Sequence, residues 1–472
     1  MASLLLAHPI NWSGGLVEGR EAGLNRNLVF RCKWIMTDPI ECRSLEQRRA
    51  LLRSLFDAAV AAAHPDQSLP AALPQPPASG RILLLSTGKA GGSMMSAAVR
   101  HYESVHGLGA GSLFGVGTAR HGYEASNPLI DIVSAGHPMP DEGSLLAAQR
   151  TLQAASQATP QDLAVVLISG GGSANWVAPA GNMTLAEKQA LNRALLRSGA
   201  HIGEINCVRK HLSRIKGGRL AAVIAAGRIL TLAISDVPGD DPSTIASGPT
   251  VPDPTTQADA LAIIRKYDVD LPPSAMAVLA DPALETPKPG DSVFNRASFQ
   301  IITRPSDGLD AACKAAAASG WDVISLGANV EGEAMTVAEA HARMALDLKA
   351  QGRRAIILSG GELTVTMRGS GAGGPNQEYA LALAKALDGA AGISALAGDT
   401  DGTDGGRGEP TDPAGAFVDE TTLRRAISHG QDADASLAAN NSTPFFRSLG
   451  DLLETGPTLT NANDLRAIAV QP

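Results

Sequence analysis

Ile82-Leu83-Leu84-Leu85-Ser86-Thr87-Gly88-Lys89-Ala90-Gly91-Gly92 is the stretch whose reading decides the fold. Four consecutive aliphatic residues offer no polar face to solvent. They predict a strand buried on both sides, and such strands belong to parallel sheets covered by helices. The glycines that follow end the strand and let the backbone approach whatever lies beyond it. Comparable runs occur at 131–133, 163–168 and 229–234, with helical patterns between them. Ser44 stands three residues before Gln47, and Thr184 three before Glu187, the spacing of capping boxes at helix starts.

A second series of apolar runs follows at 299–302, 322–326, 355–358, 363–367, 393–397 and 466–470. Between the two series, from 250 to 298, the chain is rich in Pro and Asp and loses clear periodicity, with a helical pattern only at 261–267. At 472 residues the chain exceeds what one core commonly sustains. The expected architecture is therefore α/β with two domains, each a mostly parallel sheet flanked by helices, and an active site in the interdomain cleft. The expected boundaries are a poorly patterned extension at 1–43, a first domain at 44–250, a boundary segment at 251–298 and a second domain at 299–472. Met36 precedes the first helical pattern and is the expected start of translation.

Composition narrows the function. The formal net charge of −8 argues against a nucleic-acid partner, which needs a positive surface. Aromatic residues are only 3% of the chain, so the cores must be built from Ala, Leu, Ile and Val. Cys32, Cys42, Cys207 and Cys313 show no CxxC pair, which fits a reducing, cytoplasmic setting. The longest apolar stretch, 220–237, is broken by Arg228 and Asp236, so no membrane span is expected.

The candidate chemistry sits at strand ends, where parallel sheets bind their ligands. Lys89 is a point charge suited to phosphate or carboxylate. Ser169-Gly170-Gly171-Gly172-Ser173 offers successive N–H groups that can form an anion-binding nest. Asp236 and Asp240 follow the third strand, as carboxylates for a hard cation such as Mg²⁺. Lys210, Arg214, Lys216 and Arg219 surround Gly217-Gly218. In the second half, Gly374-Pro375-Asn376-Gln377-Glu378 leads into a helical pattern, and the run 393–397 delivers Gly398-Asp399-Thr400-Asp401-Gly402-Thr403-Asp404-Gly405. Three acids in six residues suggest calcium, yet the EF-hand spacing and final glutamate are absent. Each loop alone reads equally well as a turn, a helix cap or a solvated charge. Five glycine-rich strand ends in two series, with Ser359-Gly360-Gly361-Glu362 after the run 355–358 among them, are harder to dismiss. The P-loop, the G-x-G-x-x-G dinucleotide fingerprint and the GxSxG elbow are all missing.

Taken in order, Ser86-Thr87-Gly88-Lys89-Ala90, Gly136-His137-Pro138, Ser169 to Ala174, Lys210-His211-Leu212-Ser213, Lys216 to Leu220, Ser235-Asp236-Val237, Ser247-Gly248-Pro249-Thr250, Asn376-Gln377-Glu378 and Gly398 to Gly405 resemble the class II glycerate 2-kinases. These proteins carry a glycerate-kinase-type N-terminal domain and a C-terminal MOFRL domain. The resemblance implies transfer of the γ-phosphoryl group of ATP to the 2-hydroxyl of (R)-glycerate, giving 2-phosphoglycerate, with Mg²⁺ or another divalent cation. Some relatives are named hydroxypyruvate reductase, so an NAD(P)H-dependent reductase is the alternative. Lys89 matches the family's catalytic lysine. One departure is Pro375, where several relatives carry a functional arginine. On this reading Lys89, Asp236 and Asp404 are catalytic. Ser169, Gly170, Gly171, Gly172, Ser173, Lys210, Lys216 and Gly217 bind the nucleotide. Asn376, Glu378 and Asp399 bind substrate, and Asp236 and Asp240 hold the metal. The expected partners are glycerate and ATP, with no nucleic acid and no membrane; a homo-oligomer stays open.

Overall fold

Strands Ile82–Thr87 and Leu163–Ile168 are buried along their whole length, and alternate residues of each feed two different cores. Leu83, Leu85, Val166 and Ile168 face a layer containing Trp176 and Leu220, while Ile82, Leu84, Val165 and Leu167 face Met94, Met95 and Tyr102. A strand with two apolar faces can be stable only between two helical layers. The computed structural model describes residues 30–32, 44–124, 127, 129–406 and 408–472. Met36 and the rest of the 1–43 extension lie outside the described residues.

In chain order the strands are β1 (Phe30–Cys32), β2 (Ile82–Thr87), β3 (Leu113–Arg120), β4 (Ile132–Ala135), β5 (Leu163–Ile168), β6 (Arg228–Ile234), β7 (Ala297–Thr303) and β8 (Asp322–Ser325). There follow β9 (Gly332–Glu333), β10 (Ala355–Ser359), β11 (Leu363–Thr364), β12 (Ile393–Asp399), β13 (Gly415–Asp419), β14 (Leu452–Leu453) and β15 (Asp464–Val470). Six strands form the first sheet in the order β4-β3-β2-β5-β6-β7, and every neighbouring pair is parallel. The chain winds outward from β2 through β3 to β4, then returns to the other side of β2 with β5. The winding direction therefore reverses between β2 and β5, and their carboxyl ends flank a crevice.

The second sheet has the order β1-β8-β10-β15-β12-β13-β14. Here the expectation of a mostly parallel sheet is corrected. Only β8 and β10 pair in parallel; β15 runs antiparallel to both β10 and β12, and β13 and β14 continue antiparallel. Strands β10 and β12 therefore point the same way, with β15 reversed between them. Strands β9 and β11 form a separate two-residue ladder.

The expected boundaries also shift. Strand β7 belongs to the first sheet, beside β6, and not to the second. The segment 251–298 is no bare linker, since helices Gln257–Lys266 and Pro273–Ala280 share a core with Leu191, Leu195, Ile205 and Val208. Helix Leu45–Ala63, counted with the first domain, packs on the second sheet. Its Leu52, Leu55, Phe56 and Ala59 meet Leu309, Leu358, Leu396 and Leu465. Arg48 on the same helix anchors it, donating to both oxygens of Glu420 at 2.7 and 2.6 Å. The capping boxes at Ser44 and Thr184 are both present. Among the described residues no helix is long and apolar enough to cross a membrane.

Placing this helix on the second sheet has a measurable consequence. Phe56 is wholly buried, so Phe56→Ala should destabilise the structure by about 3–5 kcal/mol. Hydrogen exchange should then accelerate in β12 and β15 while β2 and β5 keep their protection; the reverse pattern would put the helix with the first sheet.

Candidate functional site

The crevice at the β2/β5 reversal is lined by the two loops that the glycines shape. Lys89 N donates to Gly170 O at 2.8 Å, and Ala90 N donates to Ser169 Oγ at 2.9 Å, so the loops are tied together by one backbone bond and one to a side chain. Ser169 thereby serves the loop pairing. Gly170 could carry no side chain, because a Cβ there would lie 1.5 Å from Asp236 Oδ2. Gly171 has φ 80° and sits against the Lys89 stem and the His137 ring, with 3.2 and 2.9 Å left for a Cβ. The ends of β2, β5 and β6 thus meet within contact distance.

The second sheet closes over this point. Lys89 Nζ lies 2.7 Å from Asp401 Oδ2, and both side chains are largely buried. Arg120, at the end of β3, reaches the same oxygen at 3.4 Å and donates to Thr403 Oγ1 at 2.8 Å. Its guanidinium lies over the Tyr123 ring, 3.6 Å from the centroid. Asp401 Oδ1 accepts from Thr403 N at 2.8 Å. On the other flank Asn461 Nδ2 donates to Asp236 Oδ2 at 2.8 Å, and Asn463 Nδ2 donates to Asp236 O at 3.0 Å. Lys89, Gly170, Gly171 and Asp236 from the first half therefore face Asp399 and Asp401 from the second.

Electrostatics sort these groups. Burial opposes ionisation of Asp401, but Lys89 and Arg120 outweigh it and hold the carboxyl below its usual range. Burial likewise opposes the charge on Lys89, and Asp401, Asp399 and Asp236 raise it well above an ordinary lysine. Asp399, two residues from Asp401, goes the other way: burial and the Asp401 charge push it well up. Burial also raises Asp236. His137 is driven down to about 3 by burial and by the Lys89 and Arg120 charges, so its imidazole is neutral. A pair of neighbouring carboxyls with opposed ionisation is the arrangement that separates acid and base roles.

Several expected site residues are elsewhere. Lys210 pairs with Asp253 at 3.2 Å, within a buried group that includes His211 and Glu285, 2.9 Å apart. Gly217, φ 58°, supports that group, and its N–H donates to Ser247 O. Lys216 does reach the glycine loop, donating to Ser173 O at 2.6 Å. Asp240 lies 2.9 Å from Arg304 in an ion pair near the surface, so the structure does not join it to Asp236. Among the described residues no three His, Cys, Asp or Glu side chains are grouped to hold a metal ion.

Asp404 anchors helix Pro375–Leu387. Its Oδ1 accepts from Asn376 N at 2.9 Å and its Oδ2 from Gln377 N at 2.8 Å, with both side-chain amides adding further bonds. A carboxylate on the first N–H groups of a helix is a favourable electrostatic cap. Pro375 then has a plain reason: it is the first helical residue, where a missing N–H costs nothing. Asn376 Nδ2 also donates to Asp464 Oδ1 at 2.8 Å, while Glu378 turns to Asn440, accepting at 3.0 Å. Arg466, fully buried in β15, holds Asp464 at 2.9 Å and donates to Gly361 O.

Residues 51–280 match the model described as domain of unknown function (DUF4147), and residues 355–464 match the MOFRL family. A protein of Agrobacterium vitis, provisionally named a hydroxypyruvate reductase, is 47% identical over 89% of this chain and 94% of its own length. The D-glycerate 2-kinase of Thermotoga maritima is 36% identical over 89% and 98%, and the glycerate 2-kinase of Pyrococcus horikoshii 36% over 82% and 86%. The crystal structure of the Thermotoga maritima glycerate kinase superposes with a TM-score of 0.77 at 34% identity, covering 90% of this chain and all of that one. With two domain models matched in order and relatives covered over nearly their full length, the chain belongs to the glycerate 2-kinase family.

Proposed function

We propose that the protein transfers the γ-phosphoryl group of ATP to the 2-hydroxyl of (R)-glycerate, giving 2-phosphoglycerate. The observation that carries this reading is the Lys89–Asp401 pair, set between the glycine loop of one sheet and the acidic loop of the other. Phosphoryl transfer asks for positioning and charge neutralisation more than for covalent chemistry. Lys89 is a fixed cation where the transferred group would pass. The N–H of Gly172 donates to Ser169 O, and those of Gly170, Gly171 and Ser173 would hold phosphate oxygens. Asp401 keeps Lys89 and Arg120 in place and charged, and Asp399, part-exposed and with its carboxyl pushed well up, would have the proton affinity to receive the hydroxyl proton once ionised.

A divalent cation would supply neutralisation of the phosphate charge. Mg²⁺ takes one or two carboxylates and completes its shell with water and phosphate oxygens, so no three-ligand cluster is required. Asp399 and Asp236 fit that demand: both are half-buried acids whose ionisation burial disfavours despite the Lys89 charge, and a cation beside them would offset that. They would hold the ion, in place of the Asp236 and Asp240 pair expected from the sequence.

The reductase reading is kept apart by one assay. Glycerate- and Mg²⁺-dependent ADP release is expected, with no NAD(P)H oxidation on hydroxypyruvate; the opposite pair of results would reject the kinase. Lys89→Ala should lower kcat by about a thousandfold or more with an unchanged circular dichroism spectrum, and near-normal turnover would reject the role of Lys89.

Asp404→Asn should behave in the opposite way. An amide placed against the Gln377 N–H sets donor against donor, so the unfolding midpoint should fall by the equivalent of about 1–3 kcal/mol. Turnover of the folded fraction should stay within about tenfold of the parent. Loss of a thousandfold in kcat without loss of stability would restore Asp404 as a catalytic base.

A further inference from the structure

Buried cations in this protein are matched to carboxylates as a rule. Lys89 and Arg120 have Asp401, Lys210 has Asp253, Arg48 has Glu420 and Arg466 has Asp464. Lys188 and Lys216 break the rule. They are only 2% and 3% exposed, and among the described residues neither forms an ion pair with a carboxylate. What they touch is carbonyl oxygen: Lys188 Nζ donates to Arg209 O at 3.2 Å and Leu212 O at 3.1 Å, and Lys216 Nζ donates to Ser173 O. Arg209 joins them, its Nε donating only to the neutral Asn192 Oδ1 at 3.3 Å.

The three charges are close enough to disturb one another. Burial first, then the charges of Lys188 and Arg209, hold Lys216 well below an ordinary lysine. Burial and Arg209 bring Lys188 down to about 7. Burying cations without a counter-charge is costly, and a group of three is stable only if it stays partly neutral or acquires an anion. The position of the group says which anion could arrive. Lys216 is bonded to Ser173 in the glycine loop, and the same loop touches Lys89 through Gly171. Gly171, Ser173 and Arg209 are part-exposed, so the group is reachable from solvent along that loop.

We propose that Lys188, Arg209 and Lys216 form the subsite for the non-transferred phosphates of a nucleoside triphosphate, with Lys89 left for the transferred one. The assignment rests on the kinase reading and deepens it. It also moves the second nucleotide-binding lysine from Lys210, which Asp253 occupies, to Lys188. Lys188 holds the last carbonyls of helix Ile202–His211, so a bound phosphate would compete for an ammonium group that already has a place.

The test uses the full chain and three variants, Lys188→Met, Lys216→Met and Arg209→Gln, each checked for folding by thermal melting. The KM for ATP should rise about 10- to 100-fold in each, and the calorimetric Kd for ADP should weaken in step, while the KM for glycerate stays within about threefold. Should Lys188→Met fail to fold for want of its helix contacts, Arg209→Gln and Lys216→Met decide the matter. An unchanged KM for ATP in those two, or an equal rise for ATP and glycerate, overturns the subsite and leaves the kinase standing. A parent protein that binds ADP but releases none from ATP with glycerate removes the kinase reading instead, and the ADP titration still judges the subsite.

Discussion

The contact between Lys89 and Asp401 is where the two sheets become one site. It is a buried ion pair, and burying two charges is expensive enough that such pairs rarely exist for stability alone. Here the cost is offset by further bonds: Arg120 shares the same carboxylate oxygen, Thr403 occupies the other, and Tyr123 covers the Arg120 guanidinium. Removing the carboxylate would leave two cations facing each other. A lysine that is charged, oriented and already partly desolvated before any ligand arrives needs little reorganisation when a phosphate meets it, which is the condition under which electrostatic stabilisation is most effective.

One acidic loop performs three different tasks because each carboxylate meets a different neighbour. Asp401 finds cations and stays ionised. Asp399 finds Asp401 and burial, and its carboxyl is pushed up. Asp404 finds the first N–H groups of a helix. The acids are spaced at intervals of two and three residues, and the chain turns through Gly402, at φ 94°, between Asp401 and Asp404.

This explains what could and could not be read in advance. The first sheet was legible because runs such as 82–85 and 163–168 are apolar on both faces, and its loops were legible because glycine has few other reasons to cluster after a strand. Strand direction leaves no such mark: 466–470 looks like any buried strand, yet it runs against both its neighbours. Arg120 is hidden in the sequence for a similar reason, whereas His137 stands in one of the quoted motifs and only its neutral state depends on the Lys89 and Arg120 charges. β3 contains Gly115 and Gly117 and ends in a charge, so it does not resemble a core strand, and its role depends on which strand it lies beside. Asp240 and Lys210 have the chemistry for a metal and a phosphate, and Arg304 and Asp253 pair with them instead. Pairing partners distant in sequence decide such cases.

Strand β15 is synthesised after every other strand of the second sheet, yet it occupies the middle, between β10 and β12. During translation the two flanking strands must wait with their inner edges unpaired, exposing the kind of surface that invites association with other chains. The residues just before it, Asn461 and Asn463, are the ones that grip Asp236 across the crevice. Completion of the sheet and closure of the crevice are therefore a single late event in the life of the polypeptide. A nascent chain lacking these last residues could have a finished first sheet and still be unable to assemble both walls of the site.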